Sequence, residues 1–209
     1  MNLPACFPVS FDRVQWELNK SMAALIPTVT MDHTSGHYFS APFTMEDIEW
    51  AKLHIKKHPS NSACGQDHVS YGEIEDVPNE DLLALFQSCI DSGDAPDVWL
   101  TTYIVGVLKN GKPANNPESY RLIGLESCLL KVLTLLIAKR LCAWVAECQL
   151  LPASQNGFRE GYRTNNNAFS LRCAIDKARA MGMTLYVSFV DCSNAFPWTD
   201  HPTLWLKLY

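Results

Sequence analysis

The sequence lacks any apolar run long enough to cross a bilayer. Its uncharged stretch Val98 to Leu108 is 11 residues, about half of the ~20 that a membrane helix needs, and no basic segment followed by an apolar one opens the chain. These absences point to a soluble protein of the nucleus or cytoplasm with no membrane partner. Clustered cysteines are missing too. The eight cysteines (Cys6, Cys64, Cys89, Cys128, Cys142, Cys148, Cys173, Cys192) show no CxxC and no Cys/His cluster at finger spacing, which reads as reduced thiols rather than a disulfide frame or a zinc site. There is no GxxxxGK[ST], GxSxG or HExxH, and no GxGxxG after a strand pattern, so P-loop, α/β-hydrolase, zincin and dinucleotide chemistries are set aside. His54 and His58 are four apart, but Pro59 follows at once and breaks the helix, so the pair does not read as a metal site.

Charge is sparse at 19%, and positive charge is scarcest in the first half. Residues 1–100 hold 5 Lys+Arg against 15 Asp+Glu, a balance of −10, whereas residues 101–209 hold 12 against 7, a balance of +5. An anionic partner is therefore to be sought in the second half, because phosphate neutralisation dominates nucleic-acid affinity. What is abundant is apolar side chain: 47% of residues are hydrophobic and 11% of the chain is aromatic, which suffices for one or two globular units.

Residues 1–42 mix Pro4, Pro8, Pro27 and Pro42 with short apolar pieces and show no sustained period, so they read as a linker or the remnant of an upstream domain. Pattern begins at Thr44, where a capping residue precedes Glu46 and Asp47 and predicts a helix with Ile48, Ala51, Leu53 and Ile55 on one face. Pro59 stops it, and SNSACGQD is a loop with Gly65 as its flexible point. Asn79 to Asp91 reads as a second helix through Leu82, Leu83, Leu85, Phe86 and Ile90, closed by Gly93 and Pro96. WLTTYIVGVL is β-branched and aromatic and predicts a strand, followed by a polar hairpin tip carrying Lys109, Lys112 and Arg121. Ser127 to Cys148 is the longest amphipathic helix, ended by Pro152; QNGFREGYRTNNN is a basic loop; Ala168 to Ala180 is another helix. A short apolar strand, Leu185 to Val190, leads into Asp191. The fold class is therefore mixed, α/β in composition and α+β in arrangement.

Three segments carry chemistry. An acid at the end of an apolar strand can reach into a cleft and hold a divalent cation, and FVDCSNAF, with Asp191, has that form. Taken alone, such an Asp is more commonly a turn or cap residue. The hairpin tip supplies two lysines and an arginine, the point charges and bidentate fork that a triphosphate requires. QNGFREGYRT is a basic, Gly-containing loop before a helix, able to seat phosphates on backbone N–H groups.

Together these segments resemble the reverse transcriptase domain of non-LTR (LINE-type) retrotransposons. FVDCSNAF with the tail WTDHPTLWLKLY resembles motif A, commonly near FVDFSKAFDxVDHxxLWxKL; VLKNGKPANNPESYRLIGL resembles IPKKGdpsnYRPIsL; QNGFREGYRT resembles QxGFRxGRST; and SACGQDHVSYGEI resembles SAPGPDGIxxExL. The blocks run in the family's order from about Phe43 to Tyr209. The resemblance implies that Asp191 is a catalytic aspartate and metal ligand for Mg²⁺ or Mn²⁺, and that Phe196 screens the sugar of the incoming dNTP. It implies that Lys109 and Arg121 contact the triphosphate, and that Arg159 and Arg163 track template or primer phosphates in a loop shaped by Gln155, Gly157 and Phe158. Asp200, His201, Leu204, Trp205 and Leu208 match the helix after motif A. Asn194 and Pro197 depart from the pattern, as does Leu122 where the family has Pro.

The implied architecture is the fingers (43–184) and the first palm strand with motif A (185–209) of a right-hand polymerase with an incomplete palm sheet. The implied activity is RNA-directed DNA synthesis, with an RNA template, a DNA primer and dNTPs as partners. The family's later YADD-type aspartate pair does not occur within the 209 residues, so the chain alone is expected to be inactive; the alternative reading is a non-catalytic RNA-binding remnant of a transposon.

Overall fold

The computed structural model describes residues 12–26, 36–60, 62–192, 195–196 and 199–208. In chain order its helices are α1 (Arg13–Ala23), α2 (Gly36–Phe39), α3 (Met45–Ile55), α4 (Tyr71–Asp76), α5 (Asn79–Ser92), α6 (Cys128–Glu147), α7 (Thr164–Ala180) and α8 (His201–Leu208). Strands β1 (Tyr103–Leu108) and β2 (Tyr120–Leu125) form a two-stranded antiparallel sheet, and single 3-10 turns lie at Asp97–Trp99 and Pro117–Ser119. The chain divides into two units, Thr34–Arg163 and Met1–His33 with Thr164–Tyr209. Mixed helix and antiparallel strand, α+β, is the class the residues fold into.

In the first of these units the core is helical. The expected cap of α3 forms: Asp47 N–H donates to Thr44 Oγ1 at 3.3 Å and Thr44 N–H donates back to Asp47 Oδ2 at 3.2 Å, satisfying two groups that a helix start leaves open. Ile48, Ala51 and Ile55 are buried, whereas Leu53 is 65% exposed. At roughly 100° per residue Leu53 falls on the far side of the helix from Ile48, so it does not share the predicted face. In α5, Leu82, Phe86 and Cys89 point inward at four- and three-residue steps, while Leu85 and Ile90 lie at the solvent edge. Gly93 ends α5 at φ +67°, a conformation that costs glycine nothing, and Asp94 N–H closes onto Cys89 O at 3.1 Å.

Helix α6 contributes Cys128, Val132, Leu133 and Leu136 to the same core. Each large side chain wholly removed from water there contributes about 1.5–3 kcal/mol. Its outer face binds the entry to α3. Lys139 Nζ meets Asp47 Oδ1 at 2.8 Å, and Arg140 donates from Nη1 to Ala41 O (2.6 Å) and from Nη2 to Pro42 O (2.9 Å) while its guanidinium lies 4.2 Å from the Phe43 ring centre. Burial pushes the Asp47 carboxyl up, but the hydrogen bonds from Lys139 and Thr44 outweigh it and hold the group below its ordinary value.

The strand begins later than the sequence pattern suggests, because Trp99 sits in the preceding turn, 4% exposed, edge-on to Phe86 with ring centres 6.5 Å apart. The hairpin pairs Tyr103 with Leu125 through Leu108 with Tyr120.

Gly65 is not a flexible point. A Cβ on it would stand 2.4 Å from Ser127 N and 2.7 Å from the Glu126 carbonyl carbon, so the loop backbone lies directly against the junction between β2 and α6. Ser127, fully buried, accepts from Leu130 N–H to cap α6 and donates its hydroxyl to Asp67 Oδ2 at 2.5 Å. The turn that delivers Asp67 places His68 at φ +55°, with its N–H on Gly65 O at 3.2 Å. The family pattern has Gly at this position, where L side chains are disfavoured.

In the other unit, α1 lies within the stretch read as linker. It starts at Asp12, whose side chain accepts from Gln15 N–H, and it packs on α8. Helix α7 begins four residues before the apolar period does, through Thr164–Asn167, whose polarity hid its start. Residues 185–190, predicted as a strand, carry no strand pairing; Tyr186, Phe189 and Val190 are 83–90% exposed. A strand needs a neighbour for its N–H and C=O groups, and among the described residues the sheet consists of β1 and β2. The departures Asn194 and Pro197 lie outside the described residues.

Two substitutions test this packing with urea denaturation. Gly65→Ala is expected to destabilise the chain by about 1–3 kcal/mol, since backbone rather than a flexible side chain must move. His68→Gly is expected to stabilise it by about 1 kcal/mol through release of the positive-φ cost.

Candidate nucleotide and nucleic-acid site

The hairpin brings two of the predicted residues together. Arg121 stands opposite Val107, and Lys109 follows Val107 by two positions, so alternation puts both cations on one face of the ribbon as diagonal neighbours, roughly 7–8 Å apart along the backbone. The ladder continues past β1, for Lys109 N–H donates to Ser119 O at 2.8 Å. Lys109 is half-buried and its Nζ donates to Glu118 O at 2.9 Å, which fixes the ammonium against the tip; Arg121 is exposed. The tip itself is ordered by Gly111 at φ +72° and by the Tyr120 hydroxyl donating to Ala114 O at 3.0 Å. Leu122, at the family's Pro, is 72% exposed. The arrangement offers one fixed point charge and one exposed planar fork, a combination suited to a polyphosphate.

The basic loop is tied to itself. Gln155 donates from Nε2 to Gly157 O at 3.1 Å. Arg159 donates from Nη1 to Pro152 O and Gln155 O (3.1 and 3.3 Å), with its guanidinium 4.1 Å from the Tyr162 ring centre. Phe158 adopts φ +58° and is 93% exposed. For a bulky residue that conformation is strained, of order 1–3 kcal/mol, and such strain tends to collect at functional loops. Arg163 is exposed immediately before the first residue of α7.

Asp191 and Phe196 lie in the unit that holds α8. Asp191 is an exposed carboxylate just beyond the unpaired segment, and Phe196 is 77% exposed in a turn that Thr199 closes through its N–H to Phe196 O (3.1 Å) and its Oγ1 to Ala195 O (3.0 Å). Among the described residues no group of three or more His, Cys, Asp or Glu is arranged to hold a metal ion. Asp191 thus offers a single ligand, compatible with an ion that takes one or two carboxylates and completes its shell with phosphate oxygens and water.

Sequence reasoning missed what Asp200 does. It caps α8, accepting from Thr203 N–H at 3.0 Å and from the Thr203 hydroxyl, and it accepts from Trp16 Nε1 at 2.8 Å; beside it Asn19 Nδ2 donates to Thr203 Oγ1 at 2.9 Å. The carboxyl experiences burial that raises its pKa, but the Thr203 and Trp16 hydrogen bonds prevail and hold it below its ordinary value. An Asp four residues before Leu204 could have been read as a cap; its tie to a residue 184 positions earlier has no local signal.

No family model matches the chain. Curated relatives do. The chain is 32% identical over 170 residues to the "Probable RNA-directed DNA polymerase from transposon BS" of Drosophila melanogaster, covering 80% of this chain and 18% of the relative. It is 31% identical over 184 residues to the "RNA-directed DNA polymerase from mobile element jockey" of Drosophila melanogaster, covering 81% and 20%. Against the jockey polymerase of Drosophila funebris the figures are 31% over 176 residues, 79% and 18%. The chain thus spans about a fifth of the length of the curated relatives it matches. Among the described residues no helix is long and apolar enough to cross a membrane.

The Trp16–Asp200 bond predicts a pH signature. Because the folded-state pKa of Asp200 is lowered, its contribution is present above the ordinary aspartate value of ~3.9 and is lost as pH falls through the folded value. The Trp16 indole N–H resonance should titrate with a midpoint below ~3.9. A midpoint at or above that value would contradict the assignment, and Asp200→Ala should abolish the titration.

Proposed function

We propose that this chain, homologous over about four-fifths of its length to RNA-directed DNA polymerases of transposons, forms the nucleotide-gripping front of a reverse transcriptase of the non-LTR, LINE-type class. The observation that carries the proposal is that similarity, at 31–32% identity to the BS and jockey polymerases. The hairpin supports it from geometry, since Lys109 and Arg121 share one face, a pair of cations suited to a triphosphate. In this reading residues 43–184 correspond to fingers and 185–209 to the start of the palm with motif A, and the site of action is nuclear or cytoplasmic.

The reaction is nucleotidyl transfer, in which the 3′-oxygen of a DNA primer paired with an RNA template bonds to the α-phosphorus of a dNTP as the bond to the β-phosphate breaks and pyrophosphate leaves. Lys109 and Arg121 neutralise the triphosphate and fix its orientation. Phe196 packs against the sugar. Arg163, with Arg159 bracing the loop and Gln155, Gly157 and Phe158 shaping it, follows the template backbone. Asp191 contributes a carboxylate ligand to a bound Mg²⁺ or Mn²⁺, which when present supplies positive charge to the reacting phosphates.

The test is titration of a fluorescent dNTP into the purified chain with and without Mg²⁺. Lys109→Gln or Arg121→Gln should weaken affinity by about tenfold or more, the value of ~1.5–3 kcal/mol for a charge-assisted hydrogen bond. Asp191→Ala should remove the enhancement by Mg²⁺. Wild-type affinity in both hairpin variants would sink the reading.

A further inference from the structure

The first hundred residues hold 5 Lys+Arg, and three of them, Lys52, Lys56 and Lys57, fall within six positions at the end of α3. No Asp or Glu occurs from Trp50 to Gln66, although the half as a whole is strongly acidic. Beside these lysines runs a ladder of rings. Trp50 and His54 have centres 5.5 Å apart, His54 and His58 6.5 Å, and His58 and Tyr71 5.5 Å, with interplanar angles of 30–44°. Lys139 Nζ adds a cation 4.6 Å from the centre of the Trp50 ring.

Ile48, Ala51, Ile55 and Ile74 are buried in the core, against which Trp50 and Tyr71 pack; Trp50, His54 and Tyr71 are half-buried and His58 is exposed. The ladder is held by backbone. Gly72 N–H donates to Ser60 O at 3.2 Å, which sets Tyr71 beside His58, and Lys52 Nζ donates to Glu75 O and Val77 O at the end of α4. Lys56 and Lys57 are exposed. Of the acids on α4, Glu73 is engaged in capping Ser70, leaving Glu75 and Asp76 on its far turn.

We propose that the end of α3 with Tyr71 is a contact surface for single-stranded RNA, separate from the hairpin and the 155–163 loop. It rests on the reading above, in which RNA is a partner. Two exposed lysines neutralise phosphates, while the exposed ring of His58, with the half-buried Tyr71 ring beside it, gives bases an aromatic contact without sequence demand. A protein partner fits less well, because lysine is depleted from protein–protein interfaces and here two exposed lysines adjoin the rings.

The probe is a labelled, unstructured RNA oligonucleotide, bound to the full chain over a series of salt concentrations. Lys56→Gln with Lys57→Gln should raise Kd several-fold and reduce the slope of log K against log salt by about 1.4, two phosphate contacts at ~0.7 each. His58→Leu with Tyr71→Leu should raise Kd about fivefold or more with the slope unchanged. Neither pair should alter dNTP affinity. If both pairs bind RNA as the wild type does while Arg159→Gln with Arg163→Gln weakens it, this surface is overturned and the polymerase reading stands. If no variant and not the wild type binds RNA with salt dependence, both fall.

Discussion

The larger unit depends on a backbone contact, Gly65 against Ser127, locked by the Ser127 hydroxyl on the Asp67 carboxylate. Only a residue without a Cβ permits that approach, and only a short acceptor at Asp67 satisfies a hydroxyl that is wholly buried. The contact fixes the point where β2 turns into α6. The other root of the hairpin is held by Trp99, buried edge-on against Phe86. Between these two anchors the ribbon projects with apolar residues exposed on both faces, Ile104 and Leu122 on one and Val105 and Ile123 on the other, and it carries Lys109 and Arg121 near its tip. The candidate triphosphate site is thus positioned from its base rather than by packing along its length.

Charge tells a related story. Counting residues places an excess of +5 in the second half, yet several of those cations are engaged by their own chain. Lys139 and Arg140 bind Asp47 and the carbonyls before α3; Arg159 braces its loop; Arg172 pairs with Asp176 one turn along α7 at 2.8 Å. Arg121 and Arg163 are exposed. Conversely, the acidic first half presents Lys56 and Lys57 to solvent beside a run of rings. Net charge by sequence block describes long-range steering, whereas a binding surface depends on which cations remain unengaged.

Buried thiols and carboxylates fit this picture of local environments outweighing composition. Burial raises the thiols of Cys89 and Cys128, which behave as small core residues. Asp47 and Asp200 move the other way despite burial, because each accepts several hydrogen bonds that favour its charged form. In both cases the acid joins a helix start to a distant segment.

The sequence by itself determined helices α3, α5 and α6 and the order of the motifs, whereas α1 lay in a stretch read as linker. The Thr44 cap, the inward positions of α5, the Gly93 stop and the extent of α6 all follow from local rules, since capping, periodicity and left-handed glycine act within a few residues. The relation to transposon polymerases was likewise legible, because block order survives where single blocks are ambiguous. Tertiary structure decided the rest. It moved Leu53 to solvent, delayed β1 so that Trp99 could enter the core, left residues 185–190 without strand pairing, and turned Gly65 from a hinge into a contact. It also tied Trp16 to Asp200 and Asp67 to Ser127, partners 184 and 60 residues apart. Such pairs are set by where the chain returns in space, and no periodicity along the sequence encodes that return.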